Sequence, residues 1–219
     1  MLHYLQGLFA ALDLTSLLDA VLRVAAIFLC LTVHETCHGL VALALGDPTA
    51  KSMHRLSLNP LRHIDWIGLL MMFAVGFGWA KPVPVDPRYF KKPKQGMALT
   101  ALAGPVSNLL LAAAALALLR GAVLVLPGTD WAIWLVNFLL ELSILSVGLG
   151  LFNLIPIPPL DGSKVLAAFL PDRAYVTLMR YERYGILVLL VLSFVGIGSS
   201  LISRGILGVY SALLSLIFL

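Results

Sequence analysis

Ile27-Phe28-Leu29-Cys30-Leu31-Thr32-Val33-His34-Glu35-Thr36-Cys37-His38-Gly39-Leu40-Val41-Ala42-Leu43 is an apolar run broken only by two histidines and a glutamate. It lies inside a longer apolar segment, 14–46, whose one other well-embedded charge is Arg23. A bilayer-crossing helix takes about 20 largely apolar residues, and this segment exceeds that. Ionisable groups inside such a helix are costly and mark functional sites by default. One stretch therefore sets the class of protein and the place to look for its chemistry.

Composition points the same way. Of 219 residues, 60% are of the AVILMFWYC type and 12% are charged, with a mean hydropathy of +0.98. A soluble domain has about 25% charged residues, and none of this size could hide so much apolar surface behind so thin a polar shell. A soluble enzyme, a disordered chain and a nucleic-acid-binding module are excluded. Further apolar windows lie at 95–119, 131–160, 184–203 and 205–219. Segment 66–80 is too short to cross and holds Gly76 and Gly78, which suggests a re-entrant piece. Residues 1–13 suggest an interfacial amphipathic turn. The expectation is an all-α polytopic membrane protein of about five to six segments, with a short re-entrant or strand-containing insert between its first two core helices. It forms a single domain, 1–219, with a catalytic core at about 14–166 and a C-terminal helical hairpin at about 184–219. Cys30 and Cys37 are seven apart on one helix, too far for a disulfide.

Charge is unequally shared among the connectors. Three are basic: 47–65 with Lys51, Arg55 and Arg62; 81–96 with Lys81, Arg88, Lys91, Lys92 and Lys94; and 171–183 with Arg173, Arg180 and Arg183. Connector 120–130 has one Arg and one Asp. If 66–80 does not cross, the basic connectors share one face, and the positive-inside rule makes it cytoplasmic. The net charge of +4 thus reports topology before it reports an anionic partner.

His34-Glu35-Thr36-Cys37-His38 is an HExxH motif. Residues i and i+4 share a helix face, so both imidazoles can reach one Zn2+, and the Glu beside the first His can deprotonate a water there. A hydrolytic zinc site needs a third protein ligand and an open position. The metzincin extension would put a His at position 44, which is Ala44. Candidates elsewhere are His54, His63, Asp65, Glu141 and Asp161. Asp161 closes Phe152-Asn153-Leu154-Ile155-Pro156-Ile157-Pro158-Pro159-Leu160-Asp161-Gly162, where three prolines forbid a continuous helix. Irregular backbone at membrane depth is tolerated where it is buried in protein or lines a wet cavity. The same residues also fit an ordinary turn with Asp161 as a helix cap.

Across about 31–166 the sequence resembles the site-2 proteases, polytopic zinc metalloproteases of intramembrane proteolysis. The resemblance rests on the HExxH helix, Ser57-Leu58-Asn59-Pro60 with His63-Ile64-Asp65, and Gly78-Trp79-Ala80-Lys81-Pro82-Val83-Pro84-Val85. It rests also on Gly104-Pro105-Val106-Ser107-Asn108 and on Asn153 through Gly162. Trp66 departs from it, standing where close relatives often have Pro. The resemblance is to a compact form, without PDZ or CBS domains. The resemblance implies one Zn2+ per chain held by His34, His38 and Asp161, and Glu35 as general base. It also implies substrate-binding or oxyanion roles for Asn108, Asn153 and His54. The implied activity is cleavage of transmembrane helices of membrane-protein substrates. The protein would be multi-pass in the cell (inner) membrane, with the lipid bilayer as partner, no nucleic acid, and the active site nearer the cytoplasmic face. The competing class is a metal-ion or small-solute transporter with a structural His/Asp cluster, since broken helices and intramembrane His and Asp occur there too. A transporter has no need of a Glu between two zinc-binding histidines.

Overall fold

The structure, a computed structural model, describes residues 14–75, 78–126, 128–195 and 199–218. Residues 1–13, expected as an interfacial turn, lie outside the described residues, as does Gly76 of the expected re-entrant piece. Among the described residues the regular elements are all helices: α1 Leu14–Ala44, α2 Trp66–Val75, α3 Pro93–Val125, α4 Asp130–Asn153, α5 Asp161–Ala167, α6 Asp172–Val195 and α7 Ser199–Phe218, with short turns at Thr49–Ser52, Pro60–Arg62 and Pro87–Tyr89. Among the described residues four helices, α1, α3, α4 and α7, are long and apolar enough to cross a membrane.

Helix α1 carries one buried stripe at a spacing of four: Ala26, Cys30, His34, His38 and Ala42. Its outer part meets Ala115, Leu116 and Leu119 of α3 and Leu139 and Leu142 of α4 in the apolar core. Alanines on these faces let the backbones approach closely, the usual device for packing helices in lipid. The stripe thus runs without a break from apolar packing into the histidine pair. Arg23 leaves this face and pairs with Glu141 of α4, Nε to Oε1 at 2.9 Å.

Helix α1 ends at Gly46, whose φ of +106° suits a residue without a Cβ. The Asp47 N–H then bonds the Ala42 carbonyl at 2.9 Å and the Gly46 N–H the Leu43 carbonyl at 3.0 Å, a Schellman pair. Asp47 is fully buried, and its carboxylate accepts from the Thr49 N–H at 2.9 Å and from the Asp86 N–H at 2.7 Å. It ties the end of α1 to the far end of the insert. Beside it, the Arg88 guanidinium holds the half-buried Asp86 carboxyl below its ordinary pKa.

The insert between α1 and α3 holds α2, 10 residues or about 15 Å long, too short to cross about 30 Å of hydrocarbon. Asp65 caps it, accepting from the Ile67 and Gly68 N–H groups at 2.9 Å each. A Cβ on Gly68 would stand 2.2 Å from the Trp79 carbonyl oxygen, so the chain after α2 returns along it. Trp66 only opens the helix and is exposed. The strand considered for this insert is absent among the described residues, because Pro82, Pro84 and Pro87 strip N–H donors from the segment that would form it. The first helix of the C-terminal pair begins at Asp172, twelve residues before the expected span, and its opening turns carry Asp172, Arg173, Arg180 and Glu182.

Candidate metal centre

Helix α1 presents His34 and His38 side by side, ring centroids 4.5 Å apart and edge to face. The third member arrives from α5. Its helix is capped at Leu160 with no side-chain cap, so Asp161 does not cap the turn; its carboxylate points back to α1. Asp161 Oδ2 lies 3.1 Å from both His34 Nε2 and His38 Nε2, and all three residues are buried. One ligand atom from each falls within 4.8 Å of the others.

The outer nitrogens explain which atoms face inward. His38 Nδ1 donates to the Thr100 carbonyl at 2.6 Å, and His34 Nδ1 meets Asn108 Oδ1 at 3.2 Å. A carbonyl only accepts, so the proton of neutral His38 sits on Nδ1 and the Nε2 lone pair points at Asp161. His34, with the Asn108 carbonyl facing it, is oriented alike. Three acceptor atoms then converge with no donor among them, an arrangement that calls for a cation. Two histidines and a carboxylate, with both rings braced from behind, fit Zn2+ with one position left open. Gly104 of α3 makes the fit sterically feasible: its Cβ would stand 2.5 Å from His34 Cε1, His38 Cε1 and His38 Nε2.

Glu35 is half-buried next to this cluster, its Oε2 accepting from the Val83 N–H at 2.8 Å. A cavity of about 340 Å³ opens onto His34, Glu35, His38 and Asp161, with Val83 and Val85 along one wall and Asn153 and Pro159 along another. Thr100 and Ala101 form the α3 wall, and Pro105 removes the N–H that would otherwise bond the Ala101 carbonyl.

The other expected residues fall in different places. Asn153 lines the cavity, its Nδ2 donating to the Leu149 carbonyl at 2.9 Å. Asn108 is fully buried behind His34 rather than along the cavity, and its Nδ2 has no partner. His54 is exposed in the loop after α1, at a φ of +53°, with its carbonyl held by Arg62 at 2.5 Å. Of the other third-ligand candidates, His63 is buried with Nε2 on the Ser57 carbonyl at 2.7 Å, Asp65 caps α2 and Glu141 pairs with Arg23. Sequence reasoning passed over the Thr100 carbonyl, a main-chain group no residue type announces, and over Val83 and Arg55.

The profile of Peptidase family M50 matches residues 119–196, which include Asp161. YwhC of Bacillus subtilis, named as a zinc metalloprotease, is 40% identical over 178 residues, 77% of this chain and 78% of its own length. Rip2 of Mycolicibacterium smegmatis, named likewise, is 27% identical over 177 residues, 78% of this chain and 66% of the relative. No solved structure matches. A 40% identity sustained over more than three quarters of both chains, converging with a buried His-His-Asp cluster on the HExxH helix, leaves one conclusion: the chain belongs to the site-2 protease family, peptidase family M50, and is a membrane-embedded zinc metalloendopeptidase.

Proposed function

We propose that His34, His38 and Asp161 hold the Zn2+, that Glu35 is the general base, and that the substrates are transmembrane helices cleaved within the bilayer. The observation that carries this reading is the convergence of His34 Nε2, His38 Nε2 and an Asp161 oxygen beside Glu35, at membrane depth. His34 stands ten residues before the end of α1, about 15 Å, and sixteen after the start of its apolar window, about 24 Å. The basic connector at Lys51 follows that nearer end. The site therefore lies toward the cytoplasmic face of the cell membrane, and residues 1–219 act as one catalytic unit.

Bound in this cluster, Zn2+ supplies Lewis acidity toward the scissile carbonyl and toward water. The residues do the rest. Asn108 and Thr100 fix the two rings, and Asp161 balances the ion's charge. Glu35 takes the proton of the attacking water on Oε1, the oxygen that Val83 does not hold, and returns it to the nitrogen of the leaving amine. A substrate helix must first unwind, because its carbonyls are tied up in i→i−4 bonds. The irregular walls at Pro82–Val85 and at the proline-rich turn before Asp161 leave room for an unwound segment, and Asn153 is placed to hydrogen-bond its backbone.

The test is co-expression with candidate single-span membrane proteins, comparing wild type with Glu35→Gln. Loss of the substrate band only with wild type supports the reading. Equal loss with both removes Glu35 from the chemistry.

A further inference from the structure

Glu35 owes its position to a segment nearly fifty residues away. Its main-chain donor among the described residues, the Val83 N–H, stands between Pro82 and Pro84, neither of which has an N–H. Those prolines bias the backbone toward extended conformations and leave Val83 as the one donor of residues 82–84.

No ladder steadies this segment among the described residues. Its restraints come from the loop after α1. The Lys81 N–H donates to the His63 carbonyl at 2.9 Å. Arg55 Nη2 donates to two successive carbonyls, Lys81 at 2.9 Å and Pro82 at 3.2 Å. The loop is itself fastened to α1, with Thr36 Oγ1 donating to the Ser57 carbonyl at 3.0 Å. Gly39, one turn beyond Glu35, lets both pieces close on the helix: its Cβ would stand 2.6 Å from Leu56 Cδ1 and 3.1 Å from Val83 Cγ1.

We propose that Arg55 is a positioning residue for the general base, acting through the Lys81–Pro82 backbone on the Val83 N–H that holds Glu35. This rests on the assignment of Glu35 as general base. The guanidinium suits the task because its planar Nη2 holds two N–H groups in fixed directions, one for each carbonyl, whereas a lysine ammonium on its flexible stem fixes no such pair. Val83 pins Oε2 and so turns Oε1 toward the reacting water. A carboxylate released from that pin loses its near-attack geometry, and about 1 Å of misplacement costs about 10²-fold in rate.

Two measurements on the zinc-loaded protein test this. The first is hydrogen–deuterium exchange of peptides covering 82–85, whose only amides are those of Val83 and Val85. The Val83 amide is protected in wild type, and exchange quickens in Glu35→Ala and in Arg55→Met with zinc content unchanged. The second is turnover of an internally quenched apolar peptide in detergent. Arg55→Met lowers kcat about 10²-fold with KM within about threefold, and Arg55→Lys recovers part of the loss. Val83→Ala, which keeps the N–H, retains more of the wild-type kcat than Val83→Pro, which removes it from an already restricted Pro-Val-Pro and falls as far as Arg55→Met. The double variant is no worse than Val83→Pro alone. Rapid exchange of the Val83 amide in wild type overturns the proposal, as does equal activity of Val83→Ala and Val83→Pro, or an Arg55→Met variant that melts earlier at unchanged kcat. The exchange measurement needs no catalysis, so a failure of the protease reading, seen as full activity in Glu35→Gln, is separable from a failure of this one.

Discussion

Gly104 lies so close to His38 that a Cβ on it would stand 2.5 Å from Nε2, the nitrogen that faces Asp161. The glycine is a steric condition of the metal centre, since α3 can back the two rings only where it has no side chain. Gly104→Ala is expected to keep the helical fold but to push the rings from the carboxylate, lowering zinc affinity at least about tenfold and stability by about 1–3 kcal/mol. Gly121→Ala, in the same helix with nothing within 4 Å of its Cβ, is the control and should gain up to about 1 kcal/mol. Metal content by atomic emission and thermal melts of both variants decide it. A Gly104→Ala protein with full zinc would show that the rings yield freely.

Asn108 can act on the metal without touching it. With its Oδ1 on His34 Nδ1 and its Nδ2 unpartnered, removal loses a ring brace and also an unsatisfied buried group. Asn108→Ala should therefore change stability little while weakening zinc binding about 10–100-fold. Titration with a competing chelator gives the affinity. An unchanged affinity with lost cleavage would instead return Asn108 to substrate binding.

The Arg23–Glu141 pair joins α1 to α4 outside the apolar core. Glu141 stands mid-helix, eleven residues or about 16 Å after Asp130, a depth at which a lone carboxylate is costly. Arg23→Met alone should lower the melting temperature more than the double variant Arg23→Met/Glu141→Leu, which removes both charges. A double variant at least as unstable as the single would show that the pair adds stability of its own.

The HExxH helix was legible because its geometry is local: i and i+4 share a face whatever surrounds them. Asp161 stood out because three prolines broke an apolar run beside it, yet the residues alone fit a helix cap as well, and only the folded chain brings its carboxylate to the two histidines. The start of α6 was not legible, since hydropathy treats Asp172, Arg173, Arg180 and Glu182 as a connector, whereas a helix needs no apolar residues to keep its backbone bonded. Nor was the bracing of the site. His54 drew attention by residue type, yet its neighbour Arg55 reaches the catalytic wall, through bonds to carbonyls 26 and 27 residues on. His38 rests on the Thr100 carbonyl, and Glu35 on the Val83 N–H. Main-chain partners carry no residue signature and become visible only when the chain is folded.

Asp161→Asn separates a ligand from a turn-former. Asn is nearly as good a cap as Asp, so a capping role predicts almost no change. The Asp161 carboxylate instead meets two imidazole nitrogens at 3.1 Å each and caps nothing. If Asp161 is a ligand, the amide keeps the shape, removes the charge that would balance Zn2+, and can turn an N–H₂ toward the cation. The variant should insert and fold, bind zinc at least about tenfold more weakly and fail to cleave. Metal linkage offers a readout without a substrate. Zinc at about a hundred times its Kd stabilises the wild type by about 2.7 kcal/mol over the metal-free protein. At that same zinc concentration a tenfold weaker site gives about 1.4 kcal/mol, and a still weaker one less. Melting curves with and without zinc, run on both proteins, therefore report on this one side chain. An equal zinc-induced shift in the two would take Asp161 out of the ligand set, and would leave the carboxylate as a hydrogen-bond partner of two histidines and nothing more.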